Sequence, residues 1–285
     1  MHLPVVDFSS PTAAQDFCRS LHETGFGVLR NHPLEQSLVE GIYAEWLAFF
    51  HTEAKHRYLT DPAKHDGYFP PSVSEIAKNH TRRDLKEFFH IYTWGQYPSE
   101  VSGAARSYYD QGKALAATLL NWVEEYSPPE VKARYSMPLP QMLEGSNNTL
   151  LRVLHYPPLR GDEEDGAVRA AAHGDINLLT ILPAATEPGL QVLGKDDAWH
   201  DVPCDFGLLI VNIGDMLEEA SGGYGWTKSG PRLTVLMKLY IKESMEKAAR
   251  AAVNDVNKAL AKSLETAARD AIHETAAKLK IAIST

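Results

Sequence analysis

Cysteine is scarce in this chain: two in 285 residues, Cys18 and Cys204, far apart and in no CxxC pair. That excludes a disulfide framework and a paired-cysteine motif, and sets the expectation of a reducing, cytoplasmic compartment. Long hydrophobic runs are missing too, with nothing near the roughly 18 apolar residues a membrane span needs. The opening "MHLPVVDFSS" has no basic region followed by a long apolar stretch, so no signal peptide is expected. Positive charge is in deficit: 28 Lys and Arg face 37 Asp and Glu, a net charge of −9. Non-specific partnership with nucleic acid or an anionic membrane is therefore not expected. No internal repeat is visible. What remains is ordinary for a globular chain, 44% hydrophobic and 23% charged. The length suits one large domain or two small ones, with room for a sizeable core.

The first 126 residues read as mostly helical. "LPVVDF" (3–8) is a short strand, and Ser10 before Pro11 suits the N-cap of a helix through "TAAQDFCRSLHETG". Phe17, Leu21 and Thr24 share one face there, and Gly25 is the stop. "FGVLRN" (26–31) is a second strand. Residues 34–52 follow with Leu38, Ile42, Trp46 and Phe49 or Phe50 at helical spacing. Residues 60–98 lack sustained periodicity and read as loop with short elements; 103–126 return to helix. From about 149 the texture changes. "TLLRVLHYPPL", "AAAHGDINLLTILPA", "GLQVLG", "WHDVPC", "GLLIVNIGDMLEEAS" and "PRLTVLMKLYIKES" are short β-rich runs between turn residues, which predicts a sandwich or barrel over 127–242. "GDEEDG" (161–166) reads as a solvated hairpin tip rather than a cation site. After Glu243 there is no Gly or Pro. Residues 243–285 predict one long Ala-rich helix whose stripe of Met245, Val256, Leu260 and Leu264 packs on the barrel or on a second copy of the chain.

Within "AAAHGDINLLT" (170–180), His173 and Asp175 interrupt an apolar run. In a strand, residues two apart share a face, so an imidazole and a carboxylate would project together. That pair suits a divalent metal, and with a second histidine it makes the facial triad of non-haem Fe(II) oxygenases. Taken alone, two unrelated polar residues at a strand end are the commoner explanation of such spacing. Arg232 and Thr234 also stand two apart, and a guanidinium beside a hydroxyl is good chemistry for gripping a carboxylate. Tyr156 could add a phenol. Tyr68, Phe69, Phe88, Phe89, Tyr92 and Trp94 either line a substrate pocket or belong to the core.

"LPVVDFSS", "LHETGFGVLRNH", "DLKEFFHIY", "LRVLHYPPL", "AAAHGDINLLTILPAATEPGLQV", "WHDVP" and "LLIVNIGDMLEEASGGY" occur in that order over residues 3 to 242. In this the chain resembles the isopenicillin N synthase-like branch of the 2-oxoglutarate and Fe(II)-dependent dioxygenases. The resemblance implies a mixed α and β fold, a double-stranded β-helix barrel with a helical N-terminal region. It implies His173 and Asp175 as iron ligands. Arg232 and Thr234 match the Arg-x-Ser pair that holds the distal carboxylate of 2-oxoglutarate, with Thr in place of Ser, and Tyr156 matches a tyrosine that contacts the co-substrate. The cofactor set is then Fe(II), 2-oxoglutarate and O2, and the reaction is oxidation of a small organic substrate.

The family's second histidine is expected shortly after "GDMLEEASGGY". Here "GGYGWTKSGPRLTV" follows, and no histidine lies between His200 and His273. Three readings stay open. The site consists of His173, Asp175 and water; or His200, His273 or His155 completes it; or the chain is edited or chimeric, a barrel kept as a binding or scaffold protein without its chemistry.

Overall fold

The computed structural model describes residues 3–73, 82–165, 167–171, 173–193, 198–205, 207–224, 235–242 and 262, the stretch 235–242 by its backbone alone. Arg232, Thr234, His273 and the expected tail helix apart from Lys262 lie outside the described residues. The chain divides into two compact units, Met1–Pro157 with Asp162–Lys242, and Pro158–Gly161 with Glu243–Thr285.

The first unit opens with β1 (Val5–Asp7), α1 (Ala13–Thr24), β2 (Phe26–Arg30) and α2 (Gln36–Phe50). Helix α1 begins after Thr12, not after Ser10; the Ser10 hydroxyl instead sits 3.0 Å from that of Thr12 within the preceding turn. Its end is the expected one. Gly25 takes a left-handed conformation (φ 81°), and its N–H donates to Leu21 O, the glycine-terminated stop that a residue with a Cβ would disfavour. Phe17 and Leu21 are buried on α1, and Ile42, Trp46, Phe49 and Phe50 on α2. Strands β3 (Gly67–Phe69) and β4 (Glu87–Ile91) follow, then α3 (Ala104–Tyr126) and the single turn α4 (Pro129–Lys132). Both strands fall in the stretch that reads as loop. Every residue of β4 is buried, so its sequence shows no in-out alternation to betray a strand.

The second half supplies β5 (Leu150–Tyr156), β6 (Leu179–Pro183), the hairpin β7 (Gln191–Leu193) and β8 (Trp199–Asp201), β9 (Leu209–Ile213), α5 (Asp215–Ser221) and β10 (Val235–Lys242). "GLLIVNIGDMLEEAS" is thus a strand followed by a helix, not one β run. Eight strands form a sheet in the order β1-β2-β9-β6-β10-β5-β4-β3, with β7 and β8 as a separate pair. Strand β9 opposes both β2 and β6, and β5 opposes β4. Strand β10 runs parallel to both of its neighbours, β5 and β6. The main core joins α1, α2 and α3 to the inner face of this sheet around Phe17, Trp46, Phe89, Leu119, Leu151 and Val211. The fold is a mixed α and β double-stranded β-helix whose helices, among the described residues, lie largely in the N-terminal half.

Candidate functional site

His173 and Asp175 are not in a strand: β6 starts only at Leu179, and 173–176 is irregular backbone. Alternation on a pleat therefore does not bring them together. The β9–α5 turn places Asp175. Three main-chain bonds lay residues 175–178 along it: Asp215 N–H to Asp175 O at 2.9 Å, Met216 N–H to Asn177 O at 3.2 Å and Gly214 N–H to Leu178 O at 3.2 Å. The approach is close enough that a Cβ built on Gly214 would sit 2.0 Å from Asn177 O, so only glycine fits at that turn.

The two side chains are then fixed from behind. Thr180 on β6 and Asn212 on β9 are direct cross-strand partners. Thr180 Oγ1 donates to Asp175 Oδ2 at 2.7 Å, and Asn212 Nδ2 donates to the same oxygen at 3.0 Å. Asn177 Nδ2 donates to Thr180 Oγ1 at 2.8 Å, which directs the threonine's own hydrogen at the carboxylate. On the other side His173 Nδ1–H donates to Ala171 O at 2.7 Å, which selects the tautomer with a lone pair on Nε2. That lone pair lies 3.9 Å from Asp175 Oδ1, with the imidazole 36% and the carboxylate 10% exposed. The gap is too long for a hydrogen bond. Two metal–ligand contacts of about 2.1 Å each span at most about 4.2 Å, so both atoms can reach one cation, and adjacent positions of an octahedral shell would draw them in to about 3.0 Å. Among the described residues no group of three or more His, Cys, Asp or Glu is arranged to hold a metal. The donors fit two positions of an Fe(II) shell, and no third protein donor stands beside them among the described residues.

Other histidines are engaged elsewhere. His155 on β5 pairs with Glu87 on β4, its direct cross-strand partner, with Nδ1 2.8 Å from Glu87 Oε1. Lys55 Nζ donates to Glu87 Oε2 at 2.9 Å, the Tyr68 hydroxyl donates to the same oxygen, and Phe50 stacks on the His155 ring at 5.4 Å. Burial pushes the Glu87 carboxyl up, but the bonds from His155, Tyr68 and Lys55 outweigh it and hold the group below its usual range. Burial, with the adjacent Glu87, also drives the Tyr68 hydroxyl far above its ordinary value. His200, half-buried on β8, stands opposite Val192.

Tyr156 faces away from His155, as strand alternation requires, and is buried with Phe69, Phe88 and Leu154. The aromatic group in 60–98 splits by face in the same way. Tyr68 and Phe89 join the main core, Phe69 and Phe88 join Tyr156, and Tyr92 stacks on the exposed Trp94 at 4.7 Å. Burial, with Glu125 nearby, pushes the Cys18 thiol up to about 12, away from the thiolate form. Thr180, Asn212 and Asn177, which hold Asp175, escape a reading by motif. The signal of Thr180 and Asn212 is one polar side chain breaking each of the apolar runs "LLTILP" and "LLIVNI"; Asn177 stands just before the first run.

Comparison with known proteins agrees with this architecture. Residues 3–111 match the family described as the non-haem dioxygenase in morphine synthesis N-terminal domain, and residues 147–235 match the 2OG-Fe(II) oxygenase superfamily. A Shewanella oneidensis crystal structure classed as an oxygenase is 56% identical, covers 79% of this chain and 81% of its own, and superposes with a TM-score of 0.71. Gibberellin 2-beta-dioxygenase 3 of Arabidopsis thaliana is 25% identical over 232 residues, 78% of this chain and 68% of that enzyme. A full-length Neurospora crassa protein solved in complex with alpha-KG shares the fold at 23% identity and a TM-score of 0.62, over 79% of this chain and 77% of its own.

The fold and these likenesses define a non-haem dioxygenase. The chain belongs to the 2OG-Fe(II) oxygenase superfamily, oxidoreductases that use Fe(II), 2-oxoglutarate and O2 to oxidise small organic molecules. Nothing in the likenesses favours a barrel that has kept its shape and lost its chemistry.

Proposed function

We propose that His173 and Asp175 hold the Fe(II), that Arg232 and Thr234 grip the distal carboxylate of 2-oxoglutarate, and that Tyr156 contacts the same co-substrate. The observation that carries this reading is the 3.9 Å gap between His173 Nε2 and Asp175 Oδ1, each turned to the other by bonds made through its remaining polar atom. The metal, when bound, supplies O2 activation coupled to decarboxylation of the 2-oxo acid. The chain supplies the rest. Thr180 and Asn212 keep Asp175 Oδ2 hydrogen-bonded and so fix which oxygen faces His173. Ala171 O keeps the His173 proton on Nδ1. A guanidinium fork at Arg232 pairs with both oxygens of a carboxylate, and the barrel wall excludes water. The net change is insertion of one oxygen atom into a C–H bond, with the other leaving in succinate as CO2 departs.

The proposed site has two protein donors, with water completing the metal's shell. The sequence supports this: no histidine stands in the segment after α5 to which the resemblance gives the second one. The reading extends to a soluble cytoplasmic protein in which residues 243–285 mediate self-association through their apolar stripe. Among the described residues no helix is long and apolar enough to cross a membrane.

The test is succinate release from 2-oxoglutarate with Fe(II) and O2. The parent is expected to turn over slowly, and His173→Ala, Asp175→Ala and Arg232→Ala to lose turnover. Loss of the Arg232 fork is expected to lower 2-oxoglutarate affinity by about 2–5 kcal/mol. Turnover that survives Asp175→Ala would reject the assignment.

A further inference from the structure

Strand β4 is led in by a buried ion pair that the site above leaves unexplained. Lys86 Nζ lies 2.8 Å from Asp84 Oδ2, with the side chains 2% and 3% exposed. Burying two charges is expensive, and an apolar pair of the same volume is often as stable or more so, so such a pair calls for a role besides stability. Its other contacts supply one. Asp84 Oδ1 accepts the Ala171 N–H at 3.0 Å, and the Leu85 N–H donates to Val168 O at 2.9 Å. Together these clamp segment 168–171 onto the start of β4. Ala171 in turn presents its carbonyl to His173 Nδ1 at 2.7 Å. A continuous series of bonds therefore runs from the Lys86 ammonium through the Asp84 carboxylate and residue Ala171 to the imidazole. It crosses 87 positions of sequence in one hydrogen bond.

We infer that Asp84, held by Lys86, is a positioning residue for His173: it fixes Ala171 so that the Ala171 carbonyl sets the tautomer and ring orientation of the histidine. The inference rests on His173 being a metal ligand only for its functional consequence; the orientation itself is a property of the metal-free protein. The irregular backbone at 173–176 explains the need. A strand would hold His173 through its ladder, whereas here the residue depends on bonds to its neighbours. An ammonium facing Oδ2 and an N–H facing Oδ1 leave the Asp84 carboxylate a single rotamer, and residue 171 inherits that order. Supporting residues of this kind typically change metal affinity by about 10- to 100-fold when removed.

The experiment has two arms on the full chain. The first is long-range proton–nitrogen NMR of the metal-free protein, which reads the His173 tautomer. The parent is expected as the Nδ1–H form. Asp84→Ala is expected to shift His173 to a mixture of tautomers, and Asp84→Asn, which keeps an oxygen for the Ala171 N–H, to restore most of the Nδ1–H form. The second arm is Co(II) titration followed by visible absorption. Asp84→Ala is expected to weaken binding by about 10- to 100-fold, and to have no effect in a His173→Ala background. A folded Asp84→Ala protein with the parent tautomer overturns the inference. So does an equal loss of Co(II) affinity with and without His173, which is what a merely structural role predicts. If Asp84→Ala does not fold, Lys86→Met removes the charge that orders the carboxylate while keeping the aliphatic stem. It is expected to broaden the tautomer population, and an unchanged population overturns the inference. His173→Ala that binds Co(II) like the parent would reject His173 as a ligand, and the tautomer arm would still decide the role of Asp84.

Discussion

Two histidine–carboxylate pairs in this molecule are built to opposite ends. His155 and Glu87 touch at 2.8 Å, with side chains 3% and 6% exposed, and the Lys55 and Tyr68 donors around them turn inward to the same carboxylate. His173 and Asp175 stop 3.9 Å apart, and their hydrogen bonds go outward to Ala171, Thr180 and Asn212. The residue types are nearly the same. What differs is which atoms the surroundings satisfy. Where the two partners satisfy each other, the pair is closed and contributes to the fold. Where the surroundings take the outer atoms and hold the inner ones apart, the arrangement suits a cation. Sequence shows only the second pair, since His155 and Glu87 are far apart in the chain while His173 and Asp175 are neighbours.

The largest expected effect separates the pairs by stability. Glu87→Ala strips the partner from a half-buried lysine, a buried histidine and a buried tyrosine, and should lower unfolding free energy by about 3–5 kcal/mol in urea titrations. A loss below about 1 kcal/mol would mean that the inner pair is not the structural one. Next in size is the converse. Asp175→Ala should reduce divalent metal affinity by about 100-fold or more, since losing a ligand exceeds the loss of a supporting residue, while its effect on stability stays near the 1–2 kcal/mol of lost hydrogen bonds. Equilibrium dialysis with Mn(II) checks the first figure and thermal melts the second. Smaller again is the support behind the ligand. Thr180→Val and Asn212→Ala should each lower metal affinity by about 10-fold. Because both act on the one oxygen, the double variant should lose less than the sum of the two. Full additivity would show that they do not share Asp175.

The smallest effect is in acid. The Glu87 carboxyl sits below its ordinary value, so its contribution to stability is present above about pH 4.3 and is lost as pH falls further, through the folded-state value. Glu87→Gln should flatten that acid limb of the stability curve. An unchanged limb in the variant would assign acid unfolding to other groups.

Much of the helical half is legible from periodicity, because α1, α2 and α3 each bury one face and leave the other in water. Strand β4 is not, since five buried residues in a row carry no alternation. The His-x-Asp pair is visible in the sequence, but the reason for its geometry is not. A strand face is the natural expectation, whereas Asp175 is placed by the turn at Gly214, which packs against Asn177 from well down the chain, and His173 bonds to Ala171. Asn212 and Asp84 are read only once the fold is known, because each reaches its partner across strands or segments rather than along the chain. The parallel entry of β10 is equally hidden. "VLMKLYIK" is an apolar strand in either direction, and its sequence does not say which way it runs.

The most direct test of the outer pair as a metal site is an anaerobic Fe(II) titration by calorimetry on three proteins: the parent, Asp175→Ala and Glu87→Gln. One equivalent of Fe(II) is expected on the parent, bound more weakly than by a three-ligand site and lost to mild chelation. Little or no binding is expected of Asp175→Ala, and parent-like binding of folded Glu87→Gln. Tight stoichiometric binding that survives both chelation and Asp175→Ala would contradict this, placing the metal on ligands other than His173 and Asp175.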